Sequence, residues 1–434
     1  MKKKLFLFMV LMLGLIISCG EKKDTAGDGG GEKEVVLRFS WWGGDSRHKA
    51  TLDAIKLFEE KNPGIKIKAE YSGWDGHFEK VSTQVTGNTA PDIMQIDWNW
   101  LYIFSKNGDG FYNFNDLKED FDLSNYDENV LSYTTINGKV PAIPVGMNGR
   151  VFYYNKALYE KAGLSVPATA DELISSTKIL KEKFGNDTYA LDISTTDSGV
   201  LFFLKYYVEQ KFGKSLIDSD NKMGITKEEL TEAIQFYKKL VDEGVVLSSK
   251  DNAGAGNVPG EQNPLWISGK VGGVYEWNSA ISKYQDTLSE GNELIIGDML
   301  TGIGPNKSAF VKVNMALAIN KNTKHPKEAA KFLNFLLSDP EAVKILGLSR
   351  GIPSNKKAIE TLDQEGLLKG IVPEGLEKAL AFAAPKSSPF IEDERIRKIG
   401  MMYTQKVDYN ELTPEQAGEQ MYAELEKVIA QISK

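Results

Sequence analysis

The chain is 434 residues long, too long for one ordinary hydrophobic core and suited to two α/β domains. Its 41% hydrophobic and 26% charged residues describe a globular protein, and its net charge of −8 argues against nucleic acid or an anionic membrane surface as the main partner. One cysteine excludes an internal disulfide and a thiolate metal site, and three histidines leave little for zinc or histidine catalysis; no cofactor is expected, and clustered aspartates are the remaining route to a metal ion.

Residues 2–4 are all lysine and precede an apolar run from Leu5 to Ile17, which has the layout of a secretory signal and is too short to span a bilayer comfortably. The run ends in Ile16-Ile17-Ser18-Cys19, which resembles a bacterial lipobox; the single cysteine stands where the lipid would be attached. Residues 1–19 are therefore expected to be signal and anchor. Residues 20–33, glycine-rich and charged, read as a flexible tether that would hold the folded part about 20 Å from the lipid.

The stretch Val35 to Ser46 organises the folded part of the chain. Val35, Leu37 and Phe39 alternate as a strand, the chain breaks at Trp41-Trp42-Gly43-Gly44, and Asp45 restarts it as a helix to about Asn62. In open α/β sheets, ligands bind beyond the carboxyl ends of strands, where helix starts also offer free N–H donors. Two tryptophans there suit a ligand with apolar faces and polar edges, such as a sugar ring; the other reading of either ring is core packing. Leu52, Ile55 and Phe58 are the expected buried face of the helix. Ile65–Glu70 alternates as a second strand, followed by Gly73-Trp74-Asp75-Gly76 and a helix to about Gly87. A third strand ends at Asp97, before Trp98-Asn99-Trp100. This β-α-β-α-β order predicts a parallel sheet with right-handed crossovers. Three strand ends carrying Trp beside Asp point to a common pocket.

Asn137-Gly138 signals a hairpin between SYTTI and KVPAIPV. Gly146–Arg150, with Asn148 inside it, reads either as a crossover between domains with polar side chains facing a cleft, or as a simple turn. Helices are expected from Asp171 to Phe184, from Val200 to Lys211 and from Lys227 to Glu243, with a strand from Tyr189 to Ile193 and a loop from Asp251 to Gly260. Leu265 to Trp277 reads as a short helix, then Gly272–Glu276, and Trp277-Asn278 repeats the logic of the first half. A strand from Phe310, a helix from Lys327 to Leu337 and a bend at Arg350–Pro353 come next. The closing helix carries Met421, Leu425, Val428 and Ile432 on one stripe.

Two carboxylates among Asp45, Asp75 and Asp97 could flank a glycosidic bond, as in a glycosidase whose acids stand ~5–10 Å apart; equally, carboxylates in sugar pockets simply accept from hydroxyls. No nucleophile elbow, phosphate-binding loop or His-Glu-x-x-His occurs.

With the lipobox and tether, the segments FSWWGGDSRH, FEEKNPGIKIKAEY, TAPDIMQID, GKVPAIPVGMN, KEAAKFLNFLLSDPEAV and RGIPSN make the chain similar to family 1 of the bacterial extracellular solute-binding proteins, which serve carbohydrate ABC importers. The resemblance covers essentially the whole mature chain. It implies an α/β periplasmic-binding-protein-like fold, with an N-lobe of 34–145 plus 308–348, a C-lobe of 146–307 plus 349–434, and hinge crossings at Gly146–Arg150 and Arg350–Pro353. Carried over by position, the implied binding residues are Trp41, Trp42, Gly44, Asp45, Arg47, Trp74, Asp75, Asp97 and Trp98. Asn148 and Arg150 come at the hinge, Trp277 and Asn278 on the facing lobe, and Arg350 at the last bend. The three arginines would suit an acidic sugar, or else form structural ion pairs. The implied function is an extracytoplasmic, lipid-anchored monomer that captures an oligosaccharide and passes it to the permease subunits, without covalent chemistry. Its only membrane contact would be the N-terminal lipid. The competing classes are a lipid-anchored glycoside-cleaving enzyme and a peptide-binding, metal-binding or adhesive lipoprotein.

Overall fold

The computed structural model describes residues 34–74, 76–193, 199–384 and 386–433; Cys19, the tether and Asp75 lie outside the described residues. β1 (Val35–Trp42), β2 (Ile65–Ser72) and β3 (Ile93–Ile96) form the expected parallel unit, with β1 between its neighbours and Val35 level with Ile65. β4 (Ala142–Asn155), β5 (Gly273–Trp277), β6 (Leu294–Ile296), β7 (Val311–Ile319) and β8 (Ile352–Pro353) complete the sheet. Its order is β2-β1-β3-β7-β4-β5, and β6 and β8 each pair with β4. From β3 onward every pairing is antiparallel.

Two hydrophobic cores hang on this sheet. The first gathers side chains from Leu37 to Val145 and from Met315 to Leu337; the second runs from Met147 to Val313 and from Ile352 to Ile429. β4 serves both: its first half pairs with β7, and Arg150 to Asn155 pair with β5 and β6. The register slips on either side of Gly146, a bulge where the strand leaves one core for the other. Ala309, Phe310, Val311 and Val313 were expected in the first lobe but pack in the second core, because β7 also crosses between them. The helix Lys356–Gln364, expected in the second lobe, buries Ala358 and Leu362 against Val343 of the helix Pro340–Leu346.

Local expectations were modified by packing. In the helix Asp45–Lys61 the buried face is Thr51, Ala54, Ile55 and Phe58, while Leu52 is exposed. Asn137 and Gly138 do form a tight turn at φ 50 and 75, closed by reciprocal Ile136–Lys139 hydrogen bonds, but no hairpin arms extend from it. Residues Glu128–Ser132 coil as a short helix instead. Tyr189 to Ile193 makes isolated bridges rather than a strand, and part of the expected 251–260 loop is the helix Ser249–Gly254, capped by the Ser248 hydroxyl.

Candidate functional site

The strand alternation of β1 sorts its two tryptophans. Leu37, Phe39 and Trp41 share one face and are wholly buried. Trp41 lies between Phe39 and Tyr71 and donates through Nε1 to His48 Nδ1 at 3.1 Å, so it belongs to the core and not to a binding surface. Trp42 points the other way and meets Trp74 and Trp100 at ring distances of 5.2 and 5.3 Å; Trp74 and Trp100 are stacked at 5.3 Å. Trp74 is 52% exposed, the one large open ring of this cluster. His77 backs it, hydrogen-bonded to Ser72 Oγ; burial pulls its imidazole down to about 4, so it is neutral at physiological pH.

A cavity of about 680 Å³ opens beside these rings. It is lined by Trp42, Arg47, Trp74, Asp97 and Asn148 from the expected set, and by Arg350 from the last crossing. Asn314 and Ser349 join them, as do Ser279, Ser282, Lys369 and the segment Ile371–Pro373 on the far side. Asn314 could have been noticed as a polar residue inside the apolar run of β7. The 369–373 segment carries no comparable signal, since a tertiary contact alone brings that helix start to the cleft. The helix Ile371–Ala381 begins there after Gly370 with no side-chain cap.

The cations of this cavity are unusual. Arg350 is 5% exposed; its Nε donates to Gln95 Oε1 and its Nη2 to Thr51 Oγ1, and its Nη1 has no partner among the described residues. Burial, with Arg47 nearby, lowers its pKa to about 9. Arg47 donates only to main-chain oxygens, of Ser349 and Trp42, and burial lowers its pKa too. Among the described residues no carboxylate lies within ion-pair distance of either guanidinium. Asp97 caps the helix Trp98–Phe104 by accepting from Asn99 N, and burial, opposed by Lys312 and reinforced by Glu392, raises its pKa to about 6.

The other expected residues lie elsewhere. Gly44 and Asp45 sit exposed at the start of the first helix, outside the cavity lining. Trp98 is 1% exposed, donates to Tyr133 O and packs with the second core. Arg150 is buried in an ion pair with Glu276 at 3.4 Å and faces the rings of Tyr275, Phe202 and Trp277. Its register partner across β4–β5 is Trp277, which explains why the two are spent on each other. Asn278 is buried and structural: Oδ1 accepts from Gly149 N, and Nδ2 donates to Val372 O, pinning the helix at 371 to β4.

The arrangement is a two-walled aromatic and cationic cleft at the crossings between two α/β lobes. A model of the bacterial extracellular solute-binding proteins matches residues 44–343. The diacetylchitobiose binding protein DasA of Streptomyces coelicolor is 26% identical over 377 residues, covering 83% of this chain and 84% of its own. A periplasmic oligogalacturonide binding protein from Yersinia enterocolitica, solved in complex with saturated digalacturonic acid, is 38% identical. That comparison covers 92% of this chain and 100% of the other, with a TM-score of 0.79. A periplasmic solute binding protein from Pectobacterium atrosepticum is 35% identical, with a TM-score of 0.85 and coverage of 92% and 100%. The fold is the mixed α/β fold of these periplasmic proteins, and the chain belongs to the bacterial extracellular solute-binding protein family.

Proposed function

We propose that this protein is the lipid-anchored receptor of an ABC importer, that its ligand is an acidic oligosaccharide, and that it delivers this ligand intact to the permease. The observation that carries the reading is the Arg47–Arg350 pair, two guanidiniums with no carboxylate of the described residues in ion-pair reach, in a tryptophan-walled cavity. A buried cation with no counter-charge is costly, and a ligand carboxylate supplies the missing partner through charge-assisted hydrogen bonds. The open face of Trp74 offers the stacking surface a pyranose ring requires, and Asn148 and Asn314 offer amides for its hydroxyls. The digalacturonic acid complex of the Yersinia relative supports a uronate as the acidic residue, and the diacetylchitobiose relative supports a short oligosaccharide more generally. Cys19, at its lipobox-like position, would hold the receptor outside the cytoplasmic membrane.

The test is a thermal-shift and calorimetry series with digalacturonic acid, a neutral disaccharide and a short peptide, with the ligand recovered afterwards for mass spectrometry. A stabilisation of several degrees by digalacturonic acid alone, with the sugar intact, is the expected result. Stabilisation by the neutral sugar only would remove the carboxylate from the reading, and cleavage of the sugar would make Asp97 a catalytic candidate.

A further inference from the structure

A second cavity, of about 820 Å³, adjoins the first and shares Trp74 and Asp97 with it as a common wall. Its chemistry differs. Lys312 is paired with Glu392 at 2.7 Å, and Arg395 is held by both oxygens of Asp393 at 2.9 and 2.8 Å, so those cations already have their anions. What lacks partners here is a set of hydrogen-bonding atoms from both lobes. Asn99 Oδ1, Glu392 Oε1 and Arg397 Nε, all in the lining, have no partner among the described residues, while Asn99 Nδ2 donates across to Glu392 O at 3.4 Å. The Glu392 side chain is only 9% exposed, and burying such an acceptor unmet is costly. Two acceptors and one donor match hydroxyl groups, which can serve as either; a carboxylate satisfies neither acceptor. The floor beside them is apolar, formed by Trp100, Phe78 and Ile103.

We infer that this second cavity is a hydroxyl-reading subsite, so that a bound oligosaccharide places a carboxylate-bearing unit against Arg47 and Arg350 and continues past Trp74 to set a further unit against the neighbouring Asn99, Glu392 and Arg397. The first half of that statement rests on the proposed function; the second rests on the second cavity alone. The receptor then gains affinity with chain length beyond the unit held by the arginines, through hydroxyls and ring faces.

The experiment is calorimetry of the purified protein and of Asn99→Ala and Arg397→Met variants with two ladders, galacturonate oligomers and neutral malto-oligomers, each from dimer to pentamer. Both substitutions sit at half-buried positions, and melting curves check that each variant folds. The expected result is an affinity that rises about tenfold along the galacturonate ladder in the natural protein and by less than about threefold in either variant. If the malto-oligomers alone show this variant-sensitive rise, the subsite stands and the acidic reading fails. If galacturonate binds with the same affinity at every length, the acidic reading stands and the second subsite is overturned. A rise that survives both substitutions, or no binding in either ladder, overturns the subsite as well.

Discussion

Arg350 holds a charge at the bottom of the cleft with two neutral partners, Gln95 and Thr51, and a second arginine for a neighbour. Its lowered pKa still leaves it cationic at neutral pH, so two like charges stand close together in the cavity. Arg350→Met should weaken binding of digalacturonic acid by about 100-fold, the scale of truncating one partner of a buried charge pair; less than threefold by calorimetry would exclude Arg350 from the anion contact. Asp97 gives the opposite case, a carboxylate whose folded-state pKa is raised from 3.8 to about 6 by burial. Its ionised form is disfavoured in the folded protein, so the penalty is absent below the unfolded value and fully present above about 6. Asparagine caps a helix as well as aspartate does. Asp97→Asn should therefore stabilise the unliganded protein by on the order of 1–2 kcal/mol at pH 7.5 and by much less at pH 4, read from urea unfolding at the two pH values. Equal effects at both would show that burial does not tax this carboxylate. The alternation of Val35, Leu37 and Phe39, carried two steps further, places Trp41 on the core face, but whether Trp42 on the other face met solvent or more rings depended on Trp74 and Trp100, far along the chain.

At the scale of elements, the helix Ile371–Ala381 matters most, because its start forms the far wall of the cavity. It sits so close to β4 that a Cβ on Gly149 would lie 2.2 Å from Ala379 Cβ, and Asn278 ties its first turn to the same strand. Gly149→Ala should push the helix off the strand, costing about 1–3 kcal/mol and weakening ligand binding in parallel. A variant that loses stability but keeps its affinity would show that the helix start is not part of the site. None of this contact is legible in the sequence: a glycine on a strand and a helix start many residues later carry no local mark of it. The capping boxes, by contrast, are local. Thr226 with Glu229 starts the helix Lys227–Asp242 close to where its amphipathic pattern begins.

Among the described residues, two large cores are joined by strands that serve both, beside a small third cluster of Val343, Ala358 and Leu362. β4 and β7 each contribute to the two cores, β8 pairs with β4 beside the bulge at Gly146, and Asn314 of β7 donates to Arg350 O. Because Arg47 and Arg350 line the cavity together with Lys369 and Ile371 from a distant part of the chain, a ligand touching all four would draw the lobes together. Small-angle scattering should show a fall in the radius of gyration when digalacturonic acid is added, and no fall in Arg350→Met at the same ligand concentration. An unchanged profile in the natural protein would indicate a cleft that does not move.

What the chain determines locally is whatever depends on neighbours a few residues apart. The period-two and period-3.6 patterns, the glycine breaks at strand ends and the β-α-β-α-β order were enough for the parallel unit and for the two-domain scale. Gly146–Arg150 reads equally as a crossing or a simple turn, and only the pairing of β4 with β7 on one side and β5 on the other decides between them. Tertiary structure alone decided which side chains face the cleft. Arg150 and Trp277 are consumed by each other and by Glu276 across a strand pair, whereas Arg47 and Arg350, about 300 residues apart, come together with no counter-ion among the described residues. A charge's role is set by its partner. Partners brought together by long-range folding leave no trace in the spacing of residues along the chain.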